Sequence, residues 1–134
     1  MNKNSVDTME ERIGTIYGLI DPRTQEIRYI GQTINSPKIR FRKHIYAAQD
    51  GISTNVSRWI QELLYLDLKP ELIILEDNIL YSNLTREELF WYNYFLYVGA
   101  DLFNMRQIVS RYKGKRFFSQ KIINPIIYIL IDPR

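Results

Sequence analysis

Between Thr15 and Gln32 the chain reads TIYGLIDPRTQEIRYIGQ, and no other stretch restricts its fold so tightly. Thr15, Tyr17 and Leu19 alternate with Ile16, Gly18 and Ile20; after a polar break, Ile27, Tyr29 and Gly31 alternate with Arg28, Ile30 and Gln32. A period of two on both sides of a break predicts a β-hairpin. The break, Asp21 to Glu26, carries turn chemistry: Pro22 fixes φ early in the turn, and the Asp21 carboxylate can bond the backbone ahead of it. Strands paired about Arg23 put Tyr17 and Tyr29 on one face. Tyrosine is a good strand residue in its own right, so the two phenols need a second argument before they count as chemistry.

After the hairpin, Asn35 or Ser36 serves as N-cap and Pro37 suits a first helical turn, predicting a helix to about Gln49 with Gly51 just past its end. Phe41, Ile45 and Ala48 form its apolar stripe, and Arg40 and His44, one turn apart, form a second stripe beside it. By itself that second stripe reads as a solvated basic face. A helix over about Asn55 to Leu66 follows, with Val56, Ile60 and Leu63 on one face and Trp59 and Leu64 beside them. The apolar run Leu72 to Leu75 predicts a third strand buried on both faces. Leu84-Thr85-Arg86-Glu87-Glu88-Leu89 then predicts a helix start, with Thr85 as N-cap, Glu88 closing a capping box and Leu84 packing on Leu89; the helix continues to Gly99. The expected fold class is α+β, a small three-stranded antiparallel sheet flanked by helices.

Composition narrows the chemistry. A chain of 134 residues, 46% hydrophobic and 25% charged, suits one soluble domain with an appendage. With no cysteine and one histidine, a thiolate or histidine-cluster metal site is excluded, leaving a hard cation on carboxylate oxygen. Residues 1–12 lack the apolar stretch of a signal peptide and no run approaches a membrane span, so no membrane role and an intracellular, cytoplasmic setting are expected. Charge is divided unevenly: residues 1–101 hold 11 Lys/Arg against 14 Asp/Glu, and 102–134 hold 7 against 1. In the second part Arg106, Arg111, Lys113, Lys115, Arg116 and Lys121 are interleaved with Tyr112, Phe117 and Phe118. Cations displace counterions from phosphates and aromatic rings stack on bases, so nucleic acid is the expected partner. A merely solvated basic tail is the plainer alternative.

The hairpin resembles the signature of the GIY-YIG nuclease family, Thr15-Ile16-Tyr17 standing where the family has Gly-Ile-Tyr and Tyr29-Ile30-Gly31 matching the second triplet. Arg40 and His44 match the family's arginine and histidine four apart, with one extra residue that the 33–37 loop absorbs. Glu88 stands three residues before Trp91, as the family's metal-binding glutamate stands before a helix tryptophan, and Asp101-Leu102-Phe103-Asn104 resembles the segment ending in a supporting asparagine. The resemblance covers about Gly14 to Asn104. It departs at Thr15 for the first glycine, at Gln32 where relatives often carry lysine, and in lacking a glycine pair after Asn104.

The resemblance implies a metal-dependent endonuclease acting on DNA, with RNA as the alternative polymer. Tyr17 or Tyr29 activates water, aided by Arg40, which also holds the scissile phosphate with its planar fork. His44 takes or relays the proton, Glu88 holds one Mg²⁺ or Mn²⁺, and Asn104 orients. The nucleic-acid-binding set expected around this centre is Arg42, Lys43, Arg111, Lys113, Lys115 and Arg116. A catalytically silent binding module on the same fold is the rival, with Gln32 as its mark.

The expected organisation is a flexible N-terminus over 1–11, the nuclease-like domain over 12–106 and a basic, apolar extension over 107–134. That extension ends in a partial repeat: Ile16 to Arg23 returns as Ile127 to Arg134, differing only at Gly18 and Ile129. It reads as a second first strand without its hairpin partner, the product of a truncated tandem or an incomplete duplication. Such a segment is expected to join an edge of its own sheet or to form a homodimer.

Overall fold

The computed structural model describes residues 12–103. The N-terminal stretch and residues 104–134, with the basic extension, the partial repeat and the expected dimer segment, lie outside the described residues. The expected α+β class is found. Strands β1 (Ile13–Asp21) and β2 (Glu26–Thr33) are followed by helices α1 (Pro37–Gln49) and α2 (Asn55–Tyr65), strand β3 (Glu71–Leu80) and helix α3 (Tyr81–Tyr97). The sheet has the order β2-β1-β3 and both pairings are antiparallel. No helix among the described residues is long and apolar enough to cross a membrane.

The hairpin forms as its alternation requires. Tyr17 pairs with Gly31 and Leu19 with Tyr29, so Tyr17 and Tyr29 lie diagonally on one face. One extra residue of β2 is taken up at the Leu19/Ile20 irregularity. The Asp21 carboxylate accepts from the Arg23 backbone N–H at 2.8 Å, as the turn chemistry demands, and Gln25 closes the turn at φ 63°. The same carboxylate accepts from the Arg23 guanidinium at 2.8 Å and from the Trp59 indole at 3.1 Å, tying the turn to α2.

Being central, β1 is covered on both faces. Ile16 joins Ile30, Leu84, Leu89 and Tyr92 in a layer under α3, whereas Tyr17 and Leu19 join Tyr29, Ile45, Ala48, Trp59, Ile60 and Leu63 under α1 and α2. The apolar stripes expected on α1 and α2 are the faces that enter this second layer. Ser36 occupies the N-cap position of α1 and Gly51, at φ 79°, follows its end.

Two expectations need correction. The third strand is not buried on both faces: β3 runs from Glu71 to Leu80 at a sheet edge, and Ile73 and Ile74 are exposed. A continuous apolar run marks a strand without saying how far the helices reach over it. The second correction concerns α3, which begins at Tyr81, so that Thr85 lies inside the helix rather than at its N-cap and the expected capping box has no place there. β3 runs straight into α3; the Tyr81 N–H bonds the carbonyl of Arg12, and burial of Leu84 in the layer below the helix favours continuing the turn upstream of Thr85. Glu88 is therefore not a helix cap.

Candidate active site

Two elements bring the hairpin phenols to α1. On β1, Tyr17 projects inward because its neighbours in the alternation, Ile16 and Gly18, face the other layer. On α1, His44 lies one turn beyond Arg40 and is turned inward beside Ile45. The Tyr17 hydroxyl meets His44 Nε2 at 2.8 Å, with both side chains buried. Tyr29 presents its ring edge-on to His44, with centroids 5.0 Å apart, and lies 6.3 Å from the Tyr17 ring. Two phenols and one imidazole thus form a closed triangle. The plain strand reading of the two tyrosines leaves this contact with a helix histidine unexplained.

Gly31 makes the triangle possible. A Cβ at this position would stand 2.5 Å from Tyr17 Oη and 2.6 Å from Cζ, so the Tyr17 ring occupies the space that any other residue on β2 would fill. The glycine that ends the second triplet has a packing reason independent of φ.

Burial sets the protonation states. It raises the Tyr17 phenol well above its ordinary value near 10; Tyr29 adds to the effect, and the nearby positive charge of Arg40 partly offsets it. Burial also lowers the His44 imidazole, with Arg40 contributing, to about 4. At neutral pH both groups are uncharged. In the tautomer that carries its proton on Nδ1, His44 Nε2 accepts from the Tyr17 hydroxyl, and His44 is then the group that can receive the phenolic proton.

The remaining acid approaches from the opposite layer. Glu88, on α3, is buried, and its Oε1 accepts from the Gln32 amide at 2.7 Å. The Glu88 charge is also felt at Tyr17, whose phenol it pushes further up. Gln32 therefore links Glu88 to the hairpin. The sequence marks Gln32 only as a missing cation, and a residue type that departs from a pattern does not announce its new partner. Among the described residues no three His, Cys, Asp or Glu side chains gather into a metal cage. A single carboxylate nevertheless fits a hard divalent ion, because Mg²⁺ retains several waters and takes phosphate oxygens as ligands. Glu88 is the residue that would hold it.

Of the expected site residues, the structure thus brings together Tyr17, Tyr29, Arg40, His44 and Glu88. Arg40 and Lys43, three apart on α1, line an open depression of about 330 Å³ together with Gln32, Asn35 and Tyr81. Arg42 is exposed on α1 outside that lining. Asn104, Arg111, Lys113, Lys115 and Arg116 lie outside the described residues. The described chain reaches Phe103, whose N–H bonds the carbonyl of Arg28, the residue before Tyr29. The Arg28 guanidinium lies 4.3 Å over the Phe103 ring, holding the end of the described chain to β2. Sequence reasoning misses Asn35 and Tyr81 as lining residues, since it reads one only as a cap and starts the helix that carries the other too late. Comparison of the chain with protein-family models, curated proteins and solved structures gave no match.

Proposed function

We propose that this protein is a metal-dependent endonuclease of the GIY-YIG type that hydrolyses phosphodiester bonds in DNA inside the cell. The observation that carries the reading is the buried 2.8 Å contact between the Tyr17 hydroxyl and His44 Nε2, beside Arg40 and Tyr29. A phenol held neutral is a poor base on its own. Where His44 carries its proton on Nδ1, the phenol can pass its proton to Nε2 as it takes one from a water that substrate binding brings to the buried hydroxyl. The water oxygen then bonds phosphorus as the P–O3′ bond breaks, the departing 3′ oxygen takes a proton from solvent, and His44 releases to solvent the proton it received, which restores both groups. Tyr17 is assigned the base because its hydroxyl meets His44 Nε2. Arg40 holds the scissile phosphate and stabilises the charge that builds on it. Glu88 would hold one Mg²⁺ or Mn²⁺, which would supply neutralisation of the phosphate charge.

A second reading follows from burial. Tyr17 is wholly inaccessible and Glu88 is 2% exposed beneath Gln32, as suits a binding module that has lost its chemistry. Nicking of supercoiled plasmid in Mg²⁺ or Mn²⁺ separates the two. Metal-dependent nicking, lost in Tyr17→Phe, supports the nuclease. Salt-sensitive DNA binding without nicking in either metal supports the silent module.

A further inference from the structure

We infer that the depression between the start of α1 and the start of α3 is a subsite for one unpaired nucleotide of DNA next to the scissile phosphate. This rests on the nuclease reading and adds a substrate class to it. The lining combines the three kinds of group that a nucleotide needs. Arg40 and Lys43 bring two cations. Asn35 brings a side-chain amide of the kind that bonds base edges, and Gln32, whose amide nitrogen donates to Glu88, adds its amide oxygen. Tyr81, a residue 39% exposed, brings an aromatic ring. No carboxylate stands in the lining, so the depression attracts anions rather than cations.

Position decides what kind of anion. Arg40 borders both this depression and the Tyr17 phenol, so a phosphate held there sits beside the proposed chemistry. Lys43, one helical turn further along α1, then reaches the neighbouring phosphate. A volume of about 330 Å³ is at the small end of ligand sites and holds a single nucleotide, not a duplex. The Tyr81 ring can be covered by a base only after that base has left its stack. Substrates with a frayed, flapped or single-stranded nucleotide at the cut are therefore favoured over intact duplex.

The test uses the full chain with Lys43→Gln, Tyr81→Ala and Tyr81→Phe. In EDTA, which blocks metal-dependent cleavage, fluorescence anisotropy is followed with a labelled oligothymidylate and with a blunt hairpin duplex. Tyr81→Ala is expected to weaken oligothymidylate binding roughly 5- to 150-fold and leave the duplex unchanged, while Tyr81→Phe keeps the affinity. Lys43→Gln is expected to lower the salt slope for single strand by about 0.7. In Mg²⁺ or Mn²⁺, frayed duplexes are expected to be cut faster than blunt ones, with Tyr81→Ala raising KM and sparing kcat. Oligothymidylate binding unaltered by both Lys43→Gln and Tyr81→Ala overturns the subsite. If Tyr81→Ala melts early, equal weakening in Tyr81→Phe also overturns it, since the ring face is kept. Binding that depends on Tyr81 and Lys43 without any cleavage leaves the subsite standing and removes the nuclease; cleavage indifferent to both residues does the reverse.

Discussion

Gly31→Ala is the most direct probe of how the hairpin builds the site. The added methyl would stand 2.5 Å from Tyr17 Oη, 2.6 Å from Cζ and 2.9 Å from Cε1, where comfortable contact begins at about 3.5 Å. The ring must retreat by about 1 Å, and it is wholly buried with its hydroxyl held by His44. Overpacking costs about 1–3 kcal/mol, and breaking the buried bond to Nε2 adds about 1–2 kcal/mol. The expected total is about 2–5 kcal/mol, a fall in melting temperature of roughly 8–25 °C for a domain of this size. Gly31 does not have positive φ, so none of this is backbone strain. Thermal and urea melts followed by circular dichroism would measure the change, alone and in Tyr17→Phe and Tyr17→Leu backgrounds. In Tyr17→Phe the cost should fall by about 1 kcal/mol, because the hydroxyl and its bond are already gone. In Tyr17→Leu it should fall below about 1 kcal/mol, because no ring remains to be displaced. A cost equal in all three backgrounds would refute the idea that Gly31 exists to admit the Tyr17 ring.

His44 makes stability depend on pH. Its native value of about 4 lies below the unfolded 6.5, so the unfolded chain binds the extra proton in that window and stability rises with pH from about 4 to 6.5, by up to about 3 kcal/mol, then levels off. Urea midpoints across that range should lose this slope in His44→Gln; an unchanged slope assigns it elsewhere. Glu88→Gln retains an acceptor for the Gln32 amide but removes the charge, so metal-dependent cleavage should vanish while the melting temperature moves by only a few degrees. Cleavage at the wild-type rate would remove Glu88 as the metal ligand. Neutralising Lys113, Lys115 and Arg116 should weaken DNA binding for all sequences alike and reduce the salt slope by about 0.9 for each phosphate that is no longer neutralised, sparing turnover at saturating DNA. A slope that stays put places those cations off the DNA.

Local chemistry in the sequence determined the hairpin, its Asx turn and the helices α1 and α2, because period, proline, caps and glycine act over a few neighbouring residues and all agreed. It also determined that Tyr17 and Tyr29 share a face, since a strand period of two leaves no other choice once the turn is placed. What needed tertiary structure was everything set by which surfaces cover which. A run such as Leu72 to Leu75 reads the same at an edge as in the middle of a sheet, and only the order β2-β1-β3 exposes Ile73 and Ile74. The sequence from Leu84 to Leu89 satisfies a capping box, yet packing of Leu84 beneath α3 and the direct passage from β3 win over a cap worth only about 1 kcal/mol. The same packing releases Glu88 from the helix end and sets it under Gln32. The contact from the Tyr17 hydroxyl to His44 Nε2 joins residues 27 apart in the chain. No periodicity encodes that distance; it exists because α1 lays one face on the hairpin, and Gly31 leaves the room for the ring between them.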